Sequence, residues 1–157
     1  MTDDATQAAW PAIFEPLRFP HLEVKNRLFR SSISGRFDNY DGSGTQTRID
    51  WDVKFARGGI GAVISSNTPV HPRGLIVPNY AHLDSDDKVP FWTELGKRVR
   101  DAGAKYIVQL AFSGRQRDIP SVLYDKGLSS TDKPDPVHGF PCERMTKAQI
   151  DEVVDSF

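Results

Sequence analysis

Gln109 stands at the end of an apolar, β-rich run, Tyr106-Ile107-Val108, and opens the stretch Gln109-Leu110-Ala111-Phe112-Ser113-Gly114-Arg115. Its amide offers a hydrogen-bond donor and an acceptor together. At a strand end such a group either reads a ligand or bonds a neighbouring loop. Asn67 follows another such run, Ala62-Val63-Ile64-Ser65-Ser66. A serine-rich stretch, Ser31-Ser32-Ile33-Ser34-Gly35, follows a third, and its hydroxyls suit ligand contacts or local bonds to the backbone. Arg36 and Tyr40, a few residues on, read equally as substrate contacts and as solvated loop residues. Gly42-Ser43-Gly44 precedes a helix and has the composition of an anion cradle. It lacks the Lys-Ser/Thr of a phosphate-binding loop, which favours a plain turn. His21, His71, His82, His138 and Cys142 show no metal-ligand spacing, so no metal is expected.

The elements that must position these residues alternate in type. Residues 1–13 read as a polar leader. Phe14 to Phe19 and Leu22 to Val24 read as extended runs joined by a turn at Pro20-His21. Arg27 to Ser31 is a short strand candidate, followed by the loop Ser32 to Gly44. A helix is predicted from about Thr47, with Ile49, Val53 and Ala56 at helical spacing and Gly58-Gly59 at its end. Ala62 to Ser66 is continuously apolar at its start, as in a strand buried on both faces. After a loop over 67–85, a second helix carries Trp92, Leu95, Val99 and Ala102 on one face and stops at Gly103. Tyr106 to Leu110 is the third strand, and a long loop runs from Ala111 to Glu143. Thr146-Lys147-Ala148-Gln149 has the pattern of a capping box, opening a helix with Ile150, Val153, Val154 and Phe157 on its apolar face. The order βαβαβα after a hairpin predicts a parallel sheet with right-handed crossovers. Polar residues cluster after strand ends, and no Gly-x-Gly-x-x-Gly turn follows the first strand. Both points favour a barrel over an open doubly wound sheet.

The 157 residues carry 20 Lys+Arg against 21 Asp+Glu, which gives no general attraction to nucleic acid. No stretch approaches the roughly 20 apolar residues of a spanning helix, so no membrane partner is expected. Met1-Thr2-Asp3-Asp4 lacks the basic and apolar regions of a signal peptide. The single cysteine, Cys142, cannot form an intrachain disulfide. A cytoplasmic protein is the expectation.

Three segments then act together: Lys25-Asn26-Arg27-Leu28-Phe29-Arg30-Ser31-Ser32, Gly58-Gly59-Ile60-Gly61-Ala62-Val63-Ile64, and the stretch from Gln109 to Arg115. The chain resembles the Old Yellow Enzyme family of FMN-dependent oxidoreductases, nearest the branch of 2,4-dienoyl-CoA reductases and NADH:flavin oxidoreductases. The resemblance runs from about Phe14 to Phe157. It implies an α/β (β/α)8 TIM barrel, of which residues 14–157 supply the N-terminal part, roughly the first three βα units. A whole barrel takes about 250 residues. The implied cofactor is FMN, with NADH or NADPH as reductant, and the implied reaction passes hydride through flavin N5 to the activated C=C of an enone or enoyl thioester. The implied cofactor contacts are Ser31 and Ser32 along the ring, Ile33 as apolar support where relatives carry Met, and Ser34 near O4 and N5. Asn67 falls near that same edge, and Gln109 on the C2=O and N3–H edge. Arg36 and Tyr40 are the candidate substrate residues. Phe112 replaces the family's His, and Arg115 is read as a structural ion-pairing residue. The resemblance places the substrate-anchoring His pair or His-Asn pair, the proton-donor Tyr, the flavin-phosphate site and any iron–sulfur cysteines in later segments, so no catalytic residue is assigned. The implied partners are a small unsaturated carbonyl compound, the C-terminal remainder of the barrel, from a separate chain or a missing segment, and a possible oligomer. The rival readings are a catalytically incomplete fragment with a structural or assembly role, and a phosphate-ligand barrel with no redox role.

Overall fold

The computed structural model describes residues 10–117 and 124–157, so most of the leader expected over residues 1–13 lies outside the described residues. A helical turn, α1 (Pro11–Phe14), comes first. The expected extended run was to start at Phe14. It starts instead at Leu17, because Pro11 occupies the first helical position, where its missing N–H is harmless and its φ suits a helix. β1 (Leu17–Phe19) and β2 (Leu22–Val24) then form an antiparallel hairpin in which Phe19 faces Leu22.

A parallel three-stranded sheet follows in the order β3 (Phe29–Arg30), β4 (Ala62–Pro69), β5 (Lys105–Ala111). Helix α2 (Gln46–Arg57) connects β3 to β4, and α3 (Val89–Asp101) connects β4 to β5. α2 begins where the Thr45 hydroxyl accepts the Arg48 N–H, and Gly59, at φ +92°, turns the chain out of its end. Ile49, Val53 and Ala56 from α2 meet Trp92, Leu95 and Val99 from α3 against Val63 and Ala104. Leu95 and Val99 are fully buried, and burying side chains of this size contributes roughly 1.5–3 kcal/mol each. Tyr106 and Val108 of β5 pack onto the same core. The helices therefore cover one face of the sheet, with β4 central.

Two further expectations change. β4 runs to Pro69, past its predicted end at Ser66, because an irregularity between Ile64 and Asn67 lets the polar half of the strand keep its pairing. The long loop after β5 contains a small parallel pair, β6 (Gly127–Ser129) and β7 (Cys142–Arg144), too short to leave an alternating pattern. α4 (Lys147–Asp155) opens with the expected capping box between Thr146 and Gln149. Its apolar face is uncovered among the described residues, with Ile150, Val154 and Phe157 exposed. No helix among the described residues is long and apolar enough to cross a membrane.

Candidate functional site

Register decides which side chains meet. In a parallel sheet, paired residues share a face and neighbours alternate. Phe29 pairs with Ala62, and Ile64 with Ile107. These lie opposite the face of Val63 and Tyr106, which packs on the helices. Toward the C-terminal end the next pair on this open face is Asn67 with Gln109. The face thus has an apolar floor and a rim of two amides. The β1–β2 hairpin sits at the floor, where Phe19, Leu22, Phe29 and Ile107 line an apolar cavity of about 440 Å³.

The two amides differ in freedom. Asn67 Nδ2 donates to Ser113 Oγ at 3.2 Å, tying β4 to the loop after β5. The Gln109 side chain is exposed and makes no hydrogen bond among the described residues, so its donor and acceptor both remain available. Its backbone is bound differently: the Gln109 N–H donates to the Ser65 hydroxyl at 2.8 Å.

The loop from β3 to α2 brings the serine-rich stretch to the same end of the sheet. Ser34 Oγ accepts the Arg36 N–H at 3.0 Å, and Arg36 takes φ +54°. That bond uses a lone pair and leaves the hydroxyl proton free to donate. Ser31, at the exit of β3, is exposed, Ser32 is half-buried, and Ile33 presents an exposed apolar side chain. Arg36 and Tyr40 are also exposed. Gly42-Ser43-Gly44 forms a closed turn: Asp41 accepts the Ser43 N–H and hydroxyl, and the Gly42 N–H donates to the Asn39 carbonyl.

A buried ion pair holds this loop in place. Asp38 accepts Arg48 Nη2 at 2.6 Å, Arg48 Nε at 3.1 Å and the Ala81 N–H at 3.0 Å, and both side chains are almost fully buried. Asn79, at φ +67°, donates to the Asp38 carbonyl at 2.8 Å. Burial works against the Arg48 charge, but Asp38's hydrogen bond and charge, with Asp52's charge, raise its pKa above the usual guanidinium value. Burial pushes the Asp52 carboxyl up, against the lowering effect of the Tyr106 hydroxyl, which donates to it at 2.8 Å. Burial and the Asp52 charge push the Tyr106 phenol up in turn. No sequence pattern announces this network: Asp38 lies in a loop ten residues before Arg48, and Asn79, Ala81 and Tyr106 join from later segments.

Phe112 packs edge-on to His71 at 5.8 Å between centroids and lies against Gly74. Together with the Ser113 N–H bond to the Gly74 carbonyl, this pins the loop after β5 to the loop after β4. Arg115 was expected to form an ion pair. Instead its guanidinium reaches the Lys133 carbonyl at 3.4 Å, and no carboxylate meets it among the described residues. The sequence reading missed Ser65, Ser113 and Asp38. A serine inside an apolar strand run is the one signal that was available for Ser65.

The model of the NADH:flavin oxidoreductase / NADH oxidase family matches residues 12–157. A NADH oxidase of Thermoanaerobacter brockii is 32% identical over 156 residues, which is 94% of this chain and 23% of that protein. The old yellow enzyme homologue of Zymomonas mobilis has a similar structure, with a TM-score of 0.77 and 24% identity over 93% of this chain and 43% of that one. A 2-naphthoyl-CoA reductase bound to 2-naphthoyl-CoA matches with a TM-score of 0.88 and 21% identity, over 94% of this chain and 24% of that one. The chain therefore spans under half the length of the proteins it matches, and its sheet and helices are part of an Old Yellow Enzyme-type TIM barrel. The amide pair at the strand ends is the C-terminal mouth of that barrel, and the chain belongs to the NADH:flavin oxidoreductase / NADH oxidase family, whose cofactor is FMN.

Proposed function

We propose that residues 14–157, after a leader over 1–13, are the N-terminal part of an FMN-binding barrel. The whole protein then reduces an activated C=C, in an enone or enoyl thioester, with NADH or NADPH as reductant. The observation that carries this reading is the Gln109 amide, unpaired among the described residues, beside Asn67 at the barrel mouth. The donor set fits the cofactor. A flavin pyrimidine presents a carbonyl and an N–H side by side, and a primary amide complements that edge with one donor and one acceptor. When bound, FMN supplies a two-electron carrier that takes up and gives up hydride.

The chain's own residues do the remaining work. Gln109 binds the pyrimidine edge and sets the orientation of the ring. Ser34, its lone pair held by the Arg36 N–H, donates its proton toward the O4 and N5 side, where negative charge grows on reduction. Asn67, tethered by Ser113, flanks that side. Ser31, Ser32 and Ile33 lie along the ring, and Ile33 supplies apolar contact. The apolar floor of Phe29, Ile64 and Ile107 excludes water from beneath. Arg36 and Tyr40 face the substrate.

The open face must be covered for any of this to operate. The C-terminal remainder of the barrel covers it and brings the phosphate site, since late loops supply that site in such barrels. The 2-naphthoyl-CoA reductase, acting on an aromatic thioester, supports the thioester alternative. A cytoplasmic location is part of this proposal, and the buried lone thiol of Cys142 supports it, since free thiols persist in a reducing compartment.

Titrating the assembled protein with FMN, followed by quenching of flavin fluorescence, tests the assignment. Gln109→Leu is expected to raise the Kd about tenfold or more, since unpaired buried hydrogen-bonding groups cost roughly 1–3 kcal/mol each. Arg115→Ala leaves it within about twofold. An unchanged Kd for Gln109→Leu rejects the role.

A further inference from the structure

The pairing of Asn67 with Gln109 depends on an irregularity in β4. Ile64 pairs with Ile107, yet Gln109, two residues on in β5, pairs with Asn67, three residues on in β4. β4 therefore holds one extra residue in the Ser65-Ser66 segment, a β-bulge. In an unbroken strand Ser66 would stand opposite Gln109, and Asn67 would point to the helix face. Bulges re-aim side chains in this way and recur beside active sites.

A bulge leaves ladder groups without partners, and here hydroxyls replace them. The Gln109 N–H donates to Ser65 Oγ at 2.8 Å. Ser65 Oγ lies 2.7 Å from the Ser66 carbonyl and 3.1 Å from Thr68 Oγ1, and Thr68 Oγ1 donates to the same carbonyl at 3.0 Å. Ser65 and Thr68 are almost completely buried, at 1% and 0% exposure, so water cannot substitute for them. One hydroxyl thus accepts from the residue that carries the free amide and helps to satisfy the carbonyl next to Asn67.

We propose that Ser65, assisted by Thr68, is the positioning residue of the site: it locks the bulge that sets Asn67 beside Gln109 and fixes the Gln109 backbone. The proposal rests on the flavin reading of Gln109. It implies that Ser65 acts on the cofactor only through that amide pair. An alanine at 65 removes the acceptor of the Gln109 N–H and one donor to the Ser66 carbonyl, which lets the strand slip to the register that buries Asn67 among the helices.

A double-mutant cycle on the assembled protein separates this from a purely structural role. The readout is the FMN Kd from fluorescence quenching, measured for the parent, Ser65→Ala, Gln109→Leu and the double variant. Ser65→Ala is expected to weaken binding about tenfold in the parent, the loss of one to two buried hydrogen bonds, and less than about twofold in the Gln109→Leu background. Equal losses in both backgrounds overturn the proposal, because Ser65 then merely supports the fold. Parent-like binding by Ser65→Ala, with Gln109→Leu impaired, overturns it and leaves the flavin reading intact. Parent-like binding by Gln109→Leu rejects the flavin reading itself, and the proposal with it. Should Ser65→Ala fail to fold, Thr68→Val keeps the shape while removing one donor. In the same cycle it is expected to show a loss of about threefold that disappears with Gln109→Leu, and additive losses overturn the proposal.

Discussion

On one side of the β3–β4–β5 sheet, Val63, Leu95 and Val99 are fully buried, while on the other Ile107 is half-buried and Gln109 exposed. The strands themselves turn β-branched residues to both sides, Val63 toward the helices and Ile64 and Ile107 away from them. They differ in what covers them. α2 and α3 are the crossovers between successive strands and must lie on one face, so that face closes as the chain runs from β3 to β5. The opposite face is the barrel interior, and it closes only when more strands complete the ring. The helix side is therefore where this segment holds its stability. The interior side is where it holds polar groups that stability would not select, an amide unpaired among the described residues above an apolar floor.

The comparison breaks most sharply at the buried ion pair on the helix side. Asp38→Asn leaves the Arg48 guanidinium without its charge partner, and removing one member of a buried pair costs about 3–5 kcal/mol. Chemical denaturation of the assembled protein would show it, and a loss under about 1 kcal/mol would mean that water reaches Arg48. The interior side gives a conditional effect. Ile107→Ala is expected to cost under about 1 kcal/mol where the face is open and about 2–5 kcal/mol where further strands cover it. Comparing residues 1–157 with the assembled protein measures the difference, and equal costs would mean that the open face is not a future core.

The smallest effect is at Asp52. Burial raises its carboxyl pKa in the folded protein, so the stability linked to its protonated form is complete below the unfolded value of 3.8 and is lost as pH rises through the raised folded value. Asp52→Asn is neutral at every pH and still accepts from Tyr106. Its stability relative to the parent should therefore rise as pH increases above 3.8 through the raised folded value. Denaturation midpoints across a pH series check the sign, and a falling difference would show that the carboxylate is stabilised by Arg48 more than it is penalised by burial.

The helices and strand cores were legible because periodicity reports burial directly. Ile49, Val53 and Ala56 mark α2, Trp92, Leu95 and Val99 mark α3, and Thr146 with Gln149 fixes the start of α4. Gln109 was legible because a lone amide after an apolar run has no place in a core. Asn67 was legible as a polar residue at a strand end, but its alignment with Gln109 was not. Strict alternation from Ile64 would have put Ser66 in that position. The Asp38–Arg48 pair was hidden because Arg48 sits within an otherwise ordinary amphipathic helix, and a helical Arg usually faces water.

Local sequence thus determined the main helices and strands and their βαβαβα order, since these follow from side-chain pattern within about 15 residues, while α1, β6, β7 and the far half of β4 left no such pattern. Only the tertiary structure decided which polar side chains share the barrel mouth. That outcome rests on a single extra residue in β4, beside which Ser65 accepts a hydrogen bond from a strand more than forty residues away, and strand register is a property of the pair of strands rather than of either sequence alone.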